Sequence, residues 1–334
     1  MHTSLDTTLP SPTLLGADIK KIWLLQQTSY SSSLVLHSCP RKYQLDKLRA
    51  ERETKEQDEI GSVHFAFGHA VGAGIQSAFL PNANIDACYW AAFKAWDFPL
   101  LEEEAGAKSR KSFWHALRAI DAAWHLSEAL KQEGWELAYF DGKPAIEFSF
   151  RVEFPGGFKY RAFIDIILVN SVSGKYKIVE VKTTGATWIS EAMYGNSAQA
   201  LSYGIVLDYL VKDFSSYDVL YLVYKTKTME WEAMPFTKTR QVKAEWIRNT
   251  LNDNRTISQC IEEDYWPKHG ESCFEYFKPC QYFGTCGYSD QYLGLDNEDR
   301  FNAAIDKELE KKYSVDITLN DLLKHQLLTL EETE

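Results

Sequence analysis

Three residues in the middle of this chain could do chemistry together: Asp165, Glu180 and Lys182. The segments 160–169 and 176–183 are rich in β-branched and aromatic side chains, and the polar, glycine-containing stretch between them predicts a β-hairpin. In that hairpin Asp165 lies opposite Glu180. Because residues two apart in a strand share a face, Lys182 joins the pair.

This trio suits a metal site. Hard divalent cations such as Mg²⁺ take oxygen ligands, and proteins typically hold Mg²⁺ with one or two carboxylates plus substrate phosphate. The ammonium of Lys182 can orient an attacking water or stabilise charge on a phosphate. A solvated hairpin face carrying an ordinary ion pair fits the same spacing, so the trio alone leaves both interpretations open.

Two neighbouring segments favour the functional interpretation. Gln199 and Tyr203 stand four apart on one face of a predicted helix over 196–211. Upstream, Glu147 is an acidic residue within an apolar segment that predicts a strand over 145–154.

Taken in order, these segments resemble the RecB-like branch of the PD-(D/E)XK nucleases, which includes phage exonucleases and CRISPR-associated nucleases. The matching residues are Asp165, the triplet Glu180-Val181-Lys182, and the helix with Gln199 and Tyr203. An N-terminal stretch with serines, a Cys-Pro pair and a tyrosine matches a further family pattern. The resemblance spans roughly residues 30–290, and the combination of motifs is more specific than any one of them.

The resemblance implies an α/β fold with a restriction-endonuclease-like core, in which helices flank a mixed central sheet and a helical region is added. It also implies that Asp165 and Glu180 hold Mg²⁺ or Mn²⁺, and that Lys182 positions the water or the scissile phosphate. Gln199 and Tyr203 would orient the DNA strand and the site.

One family position differs in this chain. Many members carry G-x-x-x-H on a helix, with the histidine as a metal ligand, but here the residue four after Gly68 is Gly72. His69 is the candidate replacement ligand, although a packed or solvated histidine fits the same helix. Glu147 is the candidate that completes the acidic site.

The cysteines give a second, independent line. No apolar signal-peptide segment is visible near the N-terminus and no run of about 20 apolar residues suggests a membrane span, so we expect a cytoplasmic protein with reduced thiols. Clustered cysteines in such a protein more often bind metal than form disulfides. The six are Cys39, Cys88, Cys260, Cys273, Cys280 and Cys286.

By resemblance, Cys39, Cys273, Cys280 and Cys286 would hold a [4Fe–4S] cluster, with one ligand before the nuclease core and three after it. The gap after Cys273 is longer than is common in the family. Four thiolates also suit Zn²⁺, which is the alternative metal. Cys88 and Cys260 are interpreted as buried and unliganded.

Composition agrees with a folded protein but raises one objection. The chain has 334 residues, 45% of them hydrophobic and 14% aromatic, enough for a substantial core. Its net charge of −11 is unfavourable for holding a polyanion. Local potential can differ from total charge, and basic residues either gather for binding or are scattered over the surface. The groups in question are Arg41, Lys42, Lys47 and Arg49, then Lys108, Arg110 and Lys111, and finally Lys225 and Lys227.

Periodicity predicts a layout of helices around a central sheet within a single nuclease domain over 1–334. Helices are expected at 62–79, 84–96, 111–132, 196–211 and 238–262, and strands at 145–154, 158–169, 175–183, 219–224 and 229–236. We divide the domain into a helical subregion (62–135), a catalytic sheet core (144–236), a cysteine segment (270–290) and a helical tail (297–334).

The sequence therefore predicts a metal-dependent DNA nuclease, of exonuclease type, in DNA processing or recombination. Its partners would be single-stranded DNA or duplex ends and a recombination protein, but no membrane. The alternative is a catalytically silent DNA-binding or assembly subunit that keeps the fold and the cluster. Gly72 favours that alternative, whereas the intact trio Asp165, Glu180 and Lys182 favours the enzyme.

Overall fold

The computed structural model describes residues 17–48, 62–100, 109–212, 216–275, 278–284, 286 and 305–324. Arg49 and Lys108 from the basic groups lie outside the described residues. The helices are α1 (Ala17–Leu25), α2 (Tyr30–Ser38), α3 (Pro40–Lys47), α4 (Val63–Ala78), α5 (Ile85–Ala95), α6 (Phe113–Gln132), α7 (Glu191–Gly195), α8 (Ala198–Val211) and α9 (Arg240–Glu262).

The strands include every one predicted from the sequence, each within three residues of its expected ends. They are β1 (Gln27–Thr28), β2 (Trp135–Leu137), β3 (Tyr139–Phe140), β4 (Lys143–Pro144), β5 (Ile146–Glu153), β6 (Lys159–Asn170), β7 (Tyr176–Thr184), β8 (Ser216–Lys225), β9 (Glu230–Thr239), β10 (Phe274–Glu275), β11 (Lys278–Pro279) and β12 (Val315–Thr318). The predicted α/β class, a mixed sheet flanked by helices, is confirmed.

The chain divides into two compact units. The central unit comprises 56–148 and 163–243, and the terminal unit comprises 1–55, 149–162 and 244–334. The single nuclease domain over 1–334 that the sequence predicts stays a prediction.

In the central unit, strands β6, β7, β8 and β9 are neighbours in that order. The β6–β7 and β8–β9 pairs are antiparallel, whereas β7 and β8 run parallel. A parallel pair needs a crossover connection, and helices α7 and α8 supply it. Strand β2 lies antiparallel along the other edge of β6.

The turn of the β6–β7 hairpin is fixed by a single asparagine. The Asn170 Oδ1 accepts hydrogen bonds from the backbone N–H groups of Val172 (3.2 Å) and Ser173 (2.8 Å), and Gly174 has a φ of +71°. The resulting register pairs Ile166 with Val179, as the sequence predicts.

Strand alternation separates the two faces of the central sheet. Val179 and its neighbours on one face pack against α4 and α6 in the main hydrophobic core. Glu180, one residue later, points to the opposite face, where α8 lies against the sheet. The site is therefore assembled between the sheet and the crossover helix.

The terminal unit is built around short parallel pairings. Strand β1 pairs with the first residues of β6, and β12 pairs with the second half of β5. Ser29 caps α2, and the Tyr43 hydroxyl of the cysteine-proline-tyrosine pattern donates to the Leu25 carbonyl (2.6 Å). Residues 305–309 and 319–324 are helical, as expected for the tail, but the strand β12 between them escaped sequence analysis.

No helix within the described ranges is long and apolar enough to cross a membrane.

Candidate active site

The predicted trio lies where the β6–β7 hairpin opens. Backbone pairing of the two strands runs as far as Ile166 and Val179. Beyond that point the Asp165 Oδ2 accepts a hydrogen bond from the backbone N–H of Val181 (2.8 Å), so a side chain takes the place of a strand partner. The carboxylates of Asp165 and Glu180 are thereby held close to one another at the opening.

Glu180 is the buried centre of this site, with only 2% of its surface exposed. Its Oε1 accepts hydrogen bonds from the Lys182 Nζ (2.6 Å) and the Gln199 Nε2 (2.8 Å). The Gln199 Nε2 also lies 2.5 Å from the Tyr203 hydroxyl. The structure thus brings four of the predicted residues into one hydrogen-bonded group, with Asp165 beside it.

Contacts further along α8 hold this helix in the position at which Gln199 and Tyr203 face the site. A side chain at Gly204 would collide with the Tyr217 ring, whose atoms lie 2.0 Å from the place a Cβ would take. The Tyr217 hydroxyl in turn donates to the Ala200 carbonyl (2.8 Å). A fully buried ion pair between Lys243 and Asp208 ties α8 to the start of α9.

The pKa values of both carboxyl groups are raised. Burial is the main cause for Asp165, whose pKa is raised well above its usual value, and the charge of Glu180 adds to it. Burial also raises the pKa of Glu180, although Lys182 counteracts part of this increase. A buried carboxyl group (Glu180) beside a partly buried one (Asp165), which resist ionisation together, is an arrangement that a bound cation would relieve.

The donor set fits a divalent cation. The Glu180 Oε2 is buried and has no hydrogen-bond partner, which leaves one carboxylate oxygen available in a polar site. Two carboxylates suffice for Mg²⁺, which usually keeps several waters. Among the described residues, no group of three or more histidine, cysteine or acidic side chains stands arranged around a metal position.

Glu147 approaches the site from β5 with an unusual backbone. Its φ of +45° lies in the left-handed region, which costs energy for a residue other than glycine. The Gln76 Nε2 of α4 donates to its Oε1 (2.5 Å). Glu147 is exposed, and its charge makes a minor contribution to the raised pKa of both Asp165 and Glu180.

His69 lies on the surface of α4 instead. Its side chain is 60% exposed, and its Nδ1 is 3.3 Å from the Asp97 carboxylate. On the same helix, a Cβ built at Gly68 would be 3.6 Å from the Thr183 hydroxyl, whereas a Cβ at Gly72 would meet no atom within 4 Å. The role of His69 as a metal ligand stays a prediction.

Gln76 is the site residue that sequence analysis missed. Gly68, Gly72 and Gln76 follow at intervals of four, which places them on one face of α4. The signal in the sequence was a pair of glycines followed by a polar residue on one face of a mostly apolar helix. The sequence does not show which strand this face contacts, so the signal could not identify the partner of Gln76.

The four predicted cluster cysteines all belong to the terminal unit. Cys280 and Cys286 pack against Leu45 and Tyr282. The pKa of Cys280 is raised, chiefly by burial, and the charges of Cys273 and Cys39 contribute. Because no three of these thiols stand arranged for a metal ion in the part of the chain that the structure describes, the iron–sulfur cluster is not confirmed.

The remaining two cysteines are buried, as the sequence predicts. Cys88 and Cys260 are buried, and burial raises the pKa of each. None of the six cysteines forms a disulfide, and all six lie among the described residues.

Several residues of the predicted basic groups are engaged in internal contacts. Arg41 is buried and donates to the Gln44 side chain, and the Lys47 Nζ donates to the Gln27 carbonyl. The Lys225 Nζ is 3.0 Å from the Glu232 carboxylate. These groups stabilise the fold through internal contacts, as does Arg110, which donates to the Lys227 carbonyl, so the gathering of basic residues for binding stays a prediction.

Comparison with known proteins identifies the family. No curated protein matches the sequence. Among solved structures, the chain is similar to a "Putative exonuclease" from Eubacterium rectale, with 10% identity, a TM-score of 0.45, and coverage of 85% of this chain and 100% of that one. It is also similar to SSO0001, with 13% identity, a TM-score of 0.23, and coverage of 45% of this chain and 67% of that one. The model of the PD-(D/E)XK nuclease superfamily matches residues 27–289, most of the chain and the whole of the site described above. The chain belongs to the PD-(D/E)XK nuclease superfamily.

Proposed function

We propose that this nuclease is a metal-dependent DNA exonuclease of the RecB-like branch, which hydrolyses phosphodiester bonds during DNA processing or recombination. The observation that carries the proposal is the buried Glu180 beside Asp165, with an unpartnered carboxylate oxygen and an ammonium at 2.6 Å. A structural hairpin has no need of a buried carboxyl group beside a partly buried one that repels it.

Asp165 and Glu180 are the residues that would hold Mg²⁺ or Mn²⁺, with Glu147 as the third oxygen donor. When bound, the ion would stabilise negative charge on the phosphate and lower the pKa of a water. The backbone N–H of Val181 keeps Asp165 oriented by its 2.8 Å hydrogen bond. Because Lys182 and Gln199 both donate to one Glu180 oxygen, the other oxygen is left for the cation.

Lys182 has the exposure that a phosphate-binding group needs. Its side chain is 36% exposed, although it touches the nearly inaccessible Glu180. The ammonium can therefore neutralise the buried carboxylate in the resting enzyme and orient a water or contact a phosphate when substrate arrives. Tyr203 is 1% exposed, so we assign it to holding Gln199 in place.

End-labelled single-stranded and duplex DNA, incubated with Mg²⁺, with Mn²⁺ or with a chelator, tests the proposal. We expect cleavage only with metal, with products released progressively from an end. Closed circular DNA of the same sequence should survive, because it has no end. Cleavage of the circles would replace the exonuclease by an endonuclease, and cleavage in the chelator would reject the metal-dependent mechanism.

A catalytically silent DNA-binding subunit is the second candidate, and Gly72 is the observation that favours it. The family's histidine position holds a glycine here, and no atom lies within 4 Å of where its Cβ would be. In this case DNA should bind in the chelator but remain uncut with either metal. The same incubation therefore separates the two candidates.

We also propose the [4Fe–4S] cluster, with Zn²⁺ as the alternative, on the resemblance and on the electrostatic proximity of Cys39 and Cys273 to Cys280. Binding would require the thiols to ionise and approach one another, and this would add directly to the stability of the terminal unit.

A further inference from the structure

A row of aromatic rings runs over the surface of the central unit, on α5 and the first turn of α6. The rings of Trp90 and Phe93 stack at 5.5 Å with an angle of 17° between them. Phe93 meets Phe113 edge-on at 6.0 Å, and Phe113 meets Trp114 at 6.0 Å. We call these four residues the aromatic row.

The outer faces of this row are open to solvent. Trp114 is 64% exposed, Trp90 59% and Phe93 45%. Single exposed apolar residues are ordinary on a protein surface, but adjoining exposed aromatic rings are not, and they mark a binding surface. Helical spacing of three and four residues keeps Trp90, Phe93 and Lys94 on one side of α5.

Cations accompany the rings in a protein whose net charge is −11. The exposed Lys94 places its Nζ 5.7 Å from the centre of the Trp90 ring. Lys111 adjoins Phe113 and is partly buried, which lowers its pKa. Exposed Arg110 and Arg118 flank the start of α6.

Carboxylates near the row are few among the described residues. Asp97 is engaged by His69 at 3.3 Å, Asp86 stands one helical turn before Trp90, and Asp121 of α6 accepts a hydrogen bond from the Tyr89 hydroxyl. The charges of Arg118 and Arg110 add to burial in lowering the pKa of His115, as expected where positive potential is concentrated. Among the described residues, this surface carries Lys94, Arg110, Lys111 and Arg118 against three carboxylates, two of which are engaged by His69 or Tyr89, so it is less acidic than the chain as a whole.

The basic end of the row lies near the end of β7 and β8, on the face of the sheet that packs against α4 and α6, whereas Lys182 projects with Glu180 from the opposite face at the same strand end. The charges of Arg110 and Arg118 both lower the pKa of Tyr224, although burial raises it more. Tyr224 pairs in register with Thr183, the residue that follows Lys182 on β7. Arg110 also donates a hydrogen bond to the Lys227 carbonyl, just beyond the end of β8.

We propose that the aromatic row and its cations bind single-stranded nucleic acid and lead it past the end of β7 toward the active site on the other face of the sheet. Stacked aromatic rings beside a basic track are how proteins hold unpaired bases and their backbone without sequence preference. A duplex conceals the faces of its bases, so it offers the rings nothing to stack on. This inference rests on the proposed nuclease function and specifies its substrate as a strand with unpaired bases.

Binding can be measured apart from cleavage. The test is the fluorescence anisotropy of a labelled oligodeoxythymidylate titrated with the full chain in a chelator. We expect Trp90→Ala to weaken binding by about tenfold, because stacking of one base contributes on that order. The double variant R110A/K111A should also reduce the slope of log K against log salt, by about 0.7 for each phosphate that the two cations neutralise in the wild type.

Matched controls come from exposed residues outside this surface. Tyr265→Ala removes a ring that is 62% exposed, and Lys175→Ala removes an exposed cation from the β6–β7 turn. Both controls should bind like the wild type. A blunt duplex of the same length should compete poorly with the oligonucleotide, and thermal melting of each variant verifies that the fold is intact.

Unchanged oligonucleotide affinity in both Trp90→Ala and R110A/K111A would overturn the inference. A Trp90→Ala protein that changes from dimer to monomer while its oligonucleotide affinity stays the same would instead show a subunit interface, and that also overturns it. The proposed function fails separately: Trp90-dependent binding without cleavage in any metal would reject the nuclease but keep this surface. Metal-dependent cleavage by the wild type, with unchanged oligonucleotide binding in the variants, would keep the nuclease and reject this surface.

Discussion

Replacement of Glu180 by glutamine should lower activity and raise the stability of the metal-free protein at the same time. The amide keeps the shape of the side chain and an oxygen for Lys182 and Gln199, but it removes the negative charge. We expect cleavage to fall by about 10²-fold or more, since loss of one preorganised electrostatic group commonly costs that much.

The expected gain in stability follows from the burial of Glu180. Its Oε2 is buried without a partner, and such a group costs about 1–3 kcal/mol when neutral and more when charged. The amide NH2 takes the same buried position, so the gain comes from removal of the charge. The opposing loss is the ion pair with Lys182, which is 36% exposed and therefore contributes about 1 kcal/mol or less. Desolvation outweighs the ion pair, so the variant should melt a few degrees higher in a chelator.

The pH dependence of stability should show the same sign for the effect of the Glu180 charge. Because the pKa of Glu180 is raised in the folded state, its favourable contribution is complete below the unfolded value of about 4.3 and is lost as pH rises through the folded pKa. The wild type should therefore lose stability over that range in a chelator, and Glu180→Gln should lose less.

Thermal melting with and without Mg²⁺, together with cleavage of end-labelled DNA, measures both effects. Glu136→Gln, an exposed position on β2, is the matched control and should change neither. Near-normal metal-dependent cleavage by Glu180→Gln would refute the assignment. A lower melting temperature in the chelator would refute the claim that burial of the charge is costly.

Three further predictions follow from the site and the cysteines. Glu147→Gln should raise the Mg²⁺ concentration needed for half-maximal cleavage. His69→Ala should leave that concentration unchanged, because the His69 ring pairs with Asp97. The opposite pattern would favour His69 as the metal ligand. As the pH is lowered at fixed Mg²⁺, activity should be lost at a higher pH than an ordinary carboxyl group would give, because the pKa of Asp165 is raised. Excess Mg²⁺ should move this loss to lower pH. A pH profile that does not move with Mg²⁺ contradicts a metal held by carboxylates. Anaerobically purified protein should be brown with about four irons per chain, and Cys280→Ser should bleach it while Cys88→Ser does not; colourless protein with one zinc would select the alternative metal.

The parts of the site that sequence analysis found are those with local causes. The hairpin register follows from alternating side chains and the polar turn at Asn170, so the opposition of Asp165 and Glu180 can be derived from the sequence alone. The i,i+4 spacing of Gln199 and Tyr203 placed them on one helical face, and the 2.5 Å contact between them agrees.

The parts that escaped depend on long-range packing. The contact of Gln76 with Glu147 joins a helix to a strand 71 residues away, and the left-handed backbone of Glu147 has no signature in a residue type that usually avoids it. Strand β12 has only four residues and forms by pairing with β5. Its own sequence is too short to distinguish a strand from its helical surroundings.

This chain has Gly72 where the family pattern has histidine, and Glu147 has a strained backbone. Both features affect which atoms could hold a metal in the proposed site. The family pattern places its imidazole at the Gly72 position, whereas in this structure the His69 ring of the same helix pairs with Asp97. Gln76, one turn after Gly72 on the same face, instead holds a carboxylate that reaches in from β5. A site of carboxylate oxygens alone is harder than one that includes imidazole, which suits Mg²⁺ and Mn²⁺ and disfavours Zn²⁺, Ni²⁺ and other metals that prefer nitrogen. The raised pKa values of Asp165 and Glu180 reflect the cost of ionising the two groups together, and in the proposed site a bound cation would relieve that cost.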